Sequence, residues 1–486
     1  MIDPRTPVIV GAGQVGHGLS GVHEPMDLLD LALDRAVADC RGAPLLERAD
    51  LVALVRTGTV AYRNAAATLA RRRGLDRART MMADFGGHMG QVLVADVAAA
   101  ITRGDCEVAI VGGMEMGSAL RMPEPPSPVC DEPGPPWRMI GDDIGEWISN
   151  GPETTLGLTM PIQVYPLLEV ARAWEKGQSL SAHMRDVARL WSRFSEAAAA
   201  NPHAVDRRIR GAEELFPASE SSRFVGYPYT KLMNSDQFVD QAAALVICSN
   251  AAADAAGIPR DRRVYPLVTA QATNGFVSHR SSLAGAPALA RAGRAIEAHL
   301  GCPLAEAPLA DLYACFPSAV EIQAEALGLP FDAALTLTGG MRFAGGPWNS
   351  YALHMIANVV DRLRETAGGW AVTSANGGLA SRFCAAVYSA APPEQAYRQL
   401  DQPFARQAEE ICPIDTAPEG SACIEAFSVM HDRANRPQEA FLAARTAAGA
   451  RAWARFDDRA TLDALLSLEQ PGASVHFHNG QAELRP

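Results

Sequence analysis

The sequence predicts an α/β protein in which one strand–helix alternation is laid down twice, followed by a small β-rich C-terminal domain. Short apolar runs bounded by Gly or Pro alternate with Ala-rich helical stretches, the pattern of buried strands covered by helices. The alternation begins at Val8 and starts again near Pro266, running to Ser389. After a Pro-, Gln-, Glu- and Ala-rich stretch over 391–420, the tail reads as alternating strands. With 486 residues, 48% of them apolar and 20% charged, the chain can bury a sizeable core. At ~100–200 residues per domain that length predicts more than one domain.

The elements follow in order. Strands are expected at Val8–Val10, Leu51–Val55, Val108–Val111, Ala243–Cys248, Leu309–Leu312, Ala371–Ser374 and Ala385–Tyr388. Met26–Cys40 follows Pro25 and sets Met26, Leu29, Leu33, Ala36 and Val37 on one helix face. Gln91–Ile101 is apolar nearly all round, and such a helix belongs in the centre of a domain. Seven prolines between Met122 and Pro136 read as an irregular crossing loop. Helices around Pro166–Trp174 and Ser181–Ala199 follow, so the chain divides into 1–250 with an insertion over 120–240, a second half over 251–390, a linker over 391–420 and a tail domain over 421–486. In the tail, strands are expected at Ile424–Val429, Ala452–Phe456 and Ser474–His478, with an OB-like barrel as one form they could take.

Composition excludes several function classes. Lys plus Arg number 43 against 55 Asp plus Glu, a formal charge of −12 and the wrong sign for neutralising phosphates. Neither nucleic acid nor an anionic membrane surface is expected as a partner. The stretch Met1 to Gly11 carries no basic flank and no long apolar run, and no apolar stretch approaches the ~20 residues of a membrane span. A cytoplasmic protein is expected. Nine scattered cysteines without a C-x-x-C pair suit reduced thiols, and His476 and His478 share a strand face with no third ligand, so no metal is expected.

Two glycine-rich segments are candidates for chemistry. Gly11-Ala12-Gly13-Gln14-Val15-Gly16 after a strand is a literal G-x-G-x-x-G. A dinucleotide site needs the helix to open on that loop, whereas Gly18, Gly21 and Pro25 postpone it and Asp30 and Asp34 fall inside it. The glycines are expected instead to turn the strand at a surface. The second segment, Phe85-Gly86-Gly87-His88-Met89-Gly90-Gln91, feeds the central helix, whose first N–H groups could polarise a carbonyl oxygen.

This second segment, with Ala100-Ile101 through Gly112-Gly113-Met114-Glu115 after it, resembles the nucleophile region of the thiolase superfamily. Thr6–Gln14, Asn234-Ser235-Asp236 through Cys248, and Gly345-Gly346-Pro347 resemble further elements of that family, so the likeness covers about residues 5–390. With its tail, the whole chain resembles the type-1 thiolase-like proteins. The resemblance implies a thiolase-like fold of two related halves, each a mixed sheet with helices on both faces, and a ligand of acyl-CoA type.

Carried over position by position, the likeness departs from thiolase at its chemistry. Gly87 stands at the nucleophilic Cys, Gly346 at the His of G-H-P, Ser374 at the second Cys, and Tyr313 at the first residue of the N-E-A-F motif. Conventional thiolysis is therefore not expected. The Tyr is similar to the catalytic tyrosine of thiolase-like steroid side-chain aldolases, so a retro-aldol reaction on a β-hydroxyacyl-CoA is an alternative, as is an acyl-CoA-binding protein without catalysis.

The candidate catalytic residues are Tyr313, His88 and Asn376, and the candidate binding residues Gly87, Met89 and His279. His88 is the easier base because a free imidazole titrates near ~6.5, and Tyr313, near ~10, the easier donor. Asn376 could donate to a thioester oxygen, N–H groups around Gly87–Met89 could polarise it, and His279 could face the mouth of the site. Cys315 reads as inert packing. No tightly bound cofactor is expected, coenzyme A being part of the substrate, and the assembly is expected to be a monomer or a dimer.

Overall fold

A computed structural model describes residues 2–485 apart from 17, 20, 42–44, 142–144, 146, 147, 367, 401–403 and 406. Numbered in chain order, the strands of the first half are β1 (Pro7–Val15), β2 (Leu51–Val55), β3 (Arg79–Ala83), β4 (Val108–Met116) and β5 (Arg138–Ile140). The insertion carries β6 (Phe224–Tyr227) and β7 (Tyr229–Thr230), and β8 (Asp240–Ser249) follows. The second half supplies β9 (Tyr265–Thr273), β10 (Leu309–Leu312), β11 (Trp370–Gly377) and β12 (Arg382–Ser389), and then come β13 (Arg398–Gln399) and β14 (Phe404–Ala405). The tail adds β15 (Gly420–His431), β16 (Pro437–Thr446), β17 (Arg451–Phe456), β18 (Ser474–His478) and β19 (Gln481–Arg485).

The two halves share one topology. The first sheet runs β1-β8-β4-β2-β3-β5 and the second β10-β11-β12-β9-β13. Read from β1 and from β9, each sheet makes two antiparallel pairings and then a parallel one: β1/β8, β8/β4, β4/β2 against β9/β12, β12/β11, β11/β10. Ile9 and Val264 exchange both backbone hydrogen bonds where the halves meet.

Between the sheets lie the helix Met89–Arg103 and its counterpart Tyr351–Glu365, each leading into the corresponding strand, β4 or β11. The period-two alternation of a strand buried on both faces explains why the runs read as continuously apolar. In β2, Val52 and Leu54 pack outward with the helix Pro25–Asp39, while Leu51, Ala53 and Val55 pack inward with the central helices. The central position expected for Gln91–Ile101 is the observed one, with Leu93, Val97 and Ile101 fully enclosed. Gln91, buried in the same helix, donates to the Cys384 carbonyl at 2.8 Å and accepts from Thr373 at 2.9 Å, so the helix is tied to the second sheet.

The first glycine motif is not a turn. Gly11 and Gly13 do not turn the strand; they lie inside β1. A Cβ on Gly11 would come within 2.2 Å of the Ala36 carbonyl oxygen, and one on Gly13 within 2.1 Å of that of Ala32. Glycine is required because the helix Pro25–Asp39 lies directly on the strand. The uninterrupted strand also leaves no phosphate loop.

The tail is an antiparallel sheet ordered β17-β16-β15-β18-β19, and no ladder joins β17 to β19 among the described residues. Its β15 also pairs with β6 of the insertion through Val429 and Tyr227. Trp174 and Tyr227 of the insertion pack on Phe427, with ring centroids 5.8 and 6.2 Å away. Arg451, fully buried, ties the tail to the second half, its Nη1 donating to the Arg280 carbonyl and its Nε to Glu425 at 2.7 Å. Within 391–420, β13 and β14 both pair parallel with β9 of the second half.

Candidate functional site

The two turns that precede the central helices meet and form the site. The Gly86 N–H donates to Asn349 Oδ1 at 2.9 Å, and Asn349 Nδ2 donates to the Arg56 carbonyl at 2.8 Å. Next to Asn349, Trp348 holds φ at +41°, a strained left-handed conformation for a bulky residue. Its carbonyl faces Tyr313 Oη at 3.4 Å. Glu115, buried under the same turn, accepts from the N–H groups of Gly58 and Thr59 at 2.7 and 3.0 Å and from the Thr59 hydroxyl at 2.7 Å. This fixes the Gly58–Thr59 loop against Phe85 and Trp348.

Gly87, Tyr313, His88 and Asn376 converge. A Cβ on Gly87 would sit 2.1 Å from Tyr313 Oη and 2.5 Å from the Asn376 carbonyl oxygen. The space a side chain at position 87 would need is thus filled by the tyrosine hydroxyl. Tyr313 follows β10, is buried, and stands edge-on to Tyr351 with centroids 5.2 Å apart. Burial, with Cys315 beside it, raises its phenol well above the ordinary value, so Tyr313 is a neutral donor and not a base. Cys315 itself is pushed up to about 12 by burial and stays a thiol.

Several expectations for these residues change. Both N–H donors of Asn376 Nδ2 are engaged within the protein, one by Tyr165 Oη at 2.7 Å and one by Cys315 Sγ at 3.7 Å, so as placed the amide does not offer a donor to a thioester oxygen. The Tyr165 hydroxyl also accepts from Ala380 N–H at 3.1 Å and donates to the Gly378 carbonyl at 3.1 Å, which fixes the amide. Asn376 therefore presents its buried Oδ1, which no donor among the described residues reaches, as an acceptor. The Met89 N–H is spent on the Gly86 carbonyl at 2.9 Å and cannot polarise a substrate. His88 does not titrate near neutrality: burial, with the Arg382 charge nearby, pushes its imidazole down to about 3. His279 lies away from the cavity beside His88, in a short turn Val277–His279 against the Phe276 ring.

That cavity, about 400 Å³, lies beyond His88, and neither Gly87 nor Tyr313 lines it. Its polar wall brings together His88, Asp96, Arg138, Gln271, Thr273 and Arg382, from four separate segments. The sequence offered no signal for this grouping, since nothing in the spacing relates β5, β9 and β12.

A buried cluster of Glu169, His183 and Glu321 brings three groups to within metal-ligand distance of one another. His183 Nε2 is 2.6 Å from Glu169 Oε1, Lys176 Nζ 3.0 Å from Glu321 Oε1 and Arg172 Nε 3.5 Å from Glu321 Oε2. Lys176 and Arg172 already pair the Glu321 carboxylate and His183 the Glu169 one, so each carboxylate of the cluster has a resident partner. The cluster reads as an ion network joining three helices.

Residues 402–481 match the thiolase-like protein type 1 additional C-terminal domain. Across its full length the chain is similar to the crystal structure of a monomeric SCP2-thiolase like protein type 1 from Mycobacterium smegmatis, with 28% identity, 100% of each chain covered and a TM-score of 0.84. The chain carries the additional C-terminal domain of the type-1 thiolase-like proteins and shares the fold of one of them over its full length. The chain is also similar to an Ltp2-ChsH2(DUF35) aldolase, at 20% identity over 80% of this chain and 99% of that one, TM-score 0.61. The dimeric peroxisomal thiolase of Saccharomyces cerevisiae aligns at 17% identity over 80% of this chain and 98% of that one, TM-score 0.56. These two likenesses are of fold. No curated protein matches the chain by sequence.

Proposed function

We propose that the protein binds coenzyme A thioesters within a thiolase fold and performs no thiolysis through an acyl-enzyme. The observation that carries this reading is the 2.1 Å separation between a Cβ at position 87 and Tyr313 Oη. A nucleophile at the family's usual place would collide with the tyrosine, and polarising a thioester cannot by itself replace a covalent carrier. Gly346 and Ser374, at the positions of the family's His and second Cys, support the same conclusion. No tightly bound cofactor is required, since coenzyme A arrives with the acyl group. Among the described residues no helix is long and apolar enough to cross a membrane, and we place the protein in the cytoplasm, in acyl-CoA metabolism. A monomer is favoured by the monomeric relative and by β5, which covers the β3 edge of the first sheet. Calorimetry with coenzyme A and acetyl-CoA, followed by a thiolysis assay on acetoacetyl-CoA, tests the reading. Binding without thiolysis is expected, and robust thiolysis overturns it.

A second reading, retro-aldol cleavage of a β-hydroxyacyl-CoA, is favoured by one feature. Tyr313 spends its hydroxyl only on the long 3.4 Å bond to Trp348, and the unmet Asn376 Oδ1 is an acceptor. In that reaction a base takes the β-hydroxyl proton, the Cα–Cβ bond breaks, a ketone or aldehyde leaves, and the electron pair passes to the thioester as an enolate that is then protonated at Cα. Tyr313 would stabilise the enolate oxygen and Asn376 would orient the hydroxyl. With His88 depressed to about 3, the imidazole is neutral and a weak base. Release of carbonyl product by wild type and its loss in Tyr313→Phe would establish this reading.

A further inference from the structure

Tyr351, His354 and Asn358 lie on one face of the helix Tyr351–Glu365, at the three- and four-residue spacings that bring side chains together. A chain of hydrogen bonds leads from this face to a buried carboxylate. Asp311, on β10, accepts from the Thr338 N–H at 3.1 Å and from the Thr338 hydroxyl at 2.6 Å. Because that hydroxyl spends its hydrogen on Asp311, it accepts from Asn358 Nδ2, at 2.9 Å. The Asn358 amide is thereby oriented, and its Oδ1 accepts from Gln14 Nε2 of β1 at 2.9 Å. Gln14 Oε1 then faces His354 Nδ1 at 2.9 Å, so the ring hydrogen sits on Nδ1. Burial, with His203 nearby, pushes this imidazole down to about 3, so the ring is neutral and its Nε2 is a bare acceptor.

His354 Nε2 is buried and meets no donor among the described residues. His354 lines a void of about 10 Å³, against the ~10–15 Å³ that one water needs. Gln241, on β8, lines the same void. Its Nε2 donates to the carbonyls of Ala344 and His203 at 2.9 and 3.3 Å, which fixes the buried Oε1 as a second unmet acceptor. Tyr351, on the same wall, keeps a buried hydroxyl that meets no partner among the described residues. No acidic residue is among those lining the void, so a cation finds no counter-charge there. We propose that the void is a binding site for one water molecule, which donates to His354 Nε2 and Gln241 Oε1 and accepts from Tyr351 Oη, and that the chain ending on Asp311 sets the His354 tautomer this water needs. Two bare acceptors call for a ligand with two hydrogens to give. The volume admits nothing larger than water. The Tyr351 ring that this water tethers stands edge-on to Tyr313, centroids 5.2 Å apart, so the water supports the candidate site from behind. The inference does not depend on the thioester reading, since a tautomer and a solvent molecule are measured and not a reaction.

The test uses the full-length protein at about pH 8, above the value of about 7 to which burial pushes Asp311, so that the chain ends on a carboxylate. Long-range proton–nitrogen NMR of the histidine rings reads the tautomer, and a high-resolution crystal structure reads the void. His354 is expected as the neutral Nδ1–H form, with density for one oxygen within hydrogen-bond distance of His354 Nε2 and Gln241 Oε1. Thr338→Val removes the hydroxyl that orients Asn358 and is expected to turn the single tautomer into a mixture, whereas Thr338→Ser keeps it single. If Thr338→Val fails to fold, Asn358→Leu decides by the same readout. An Nε2–H form in wild type, or an unchanged tautomer in the folded chain-breaking variant, overturns the role of the chain. A void without density overturns the water site. A shift of the His354 resonances on titration with ammonium chloride that sodium chloride does not produce overturns water in favour of a cation.

Discussion

Residues 87 and 88 are neighbours in the chain and face opposite surroundings. Gly87 abuts Tyr313 so closely that not even a methyl group fits, whereas His88 borders a cavity of about 400 Å³ with a polar wall. The helix start that resembles a thiolase nucleophile turn is thus filled on one side and vacant on the other. A fold can close the space of one chemistry with a single side chain while keeping ligand-sized room one residue away. The fullness or emptiness of a site therefore has to be judged residue by residue and not from the fold.

The sharpest way to break this comparison is to enlarge the filled side. Gly87→Ala is expected to cost ~3 kcal/mol or more in denaturant unfolding, the upper end of overpacking costs, because the Tyr313 ring and the Asn376 backbone would have to move. Tyr313→Leu added to it should recover part of that loss. A neutral Gly87→Ala would show that the contact is not tight.

The next effect belongs to the open side and depends on pH. His88 and His354 are both pushed down by burial, to about 3. Between that value and the unfolded value near 6.5 the unfolded chain binds more protons, so stability rises with pH and is lost on acidification. Each histidine contributes a slope of ~1.4 kcal/mol per pH unit, roughly 2–3 kcal/mol two units below the unfolded value. His88→Gln should remove one of the two contributions, seen as a flatter acid limb in Tm against pH. An unchanged limb would mean that His88 is solvated.

Smaller still is the support beneath the filled side. Glu115→Gln turns an amide N–H₂ toward the donors of Gly58 and Thr59 and is expected to cost ~1–3 kcal/mol, the penalty of an unmet buried donor. The smallest effect is Tyr313→Phe, within ~1 kcal/mol of wild type because a 3.4 Å hydrogen bond contributes little. The same change abolishes carbonyl release if the retro-aldol reading holds, so stability and turnover separate at this residue.

The legibility of this protein in its sequence follows physical range. The helix Met89–Arg103 was readable because an all-apolar surface has only one place to go, and the doubled topology because strands buried on both faces leave unbroken runs. The glycines of β1 were misread: a pattern records that a Cβ is missing but not which neighbour excluded it. β16 was overlooked because its Ala-Phe-Leu-Ala-Ala run carries no alternation. Within the candidate site, resemblance could align Gly87 and Tyr313 with a nucleophile and an acid but could not show that they touch. The amide orientation of Asn376 depends on Tyr165 in the insertion, and the depression of His88 on burial and on Arg382. None of these pairings has a local signature.

The pairing of β6 with β15 bears on how the chain is made. Residues 224–227 of the insertion and the helix Pro161–Glu175 emerge from the ribosome long before Val429 and Phe427 exist to cover them. At ~5–20 residues per second the delay is roughly 10–40 s, during which Tyr227 and Trp174 remain uncovered. The tail is therefore the last-made cover of a surface begun in the first half of translation, and the nascent chain should need a chaperone until it arrives.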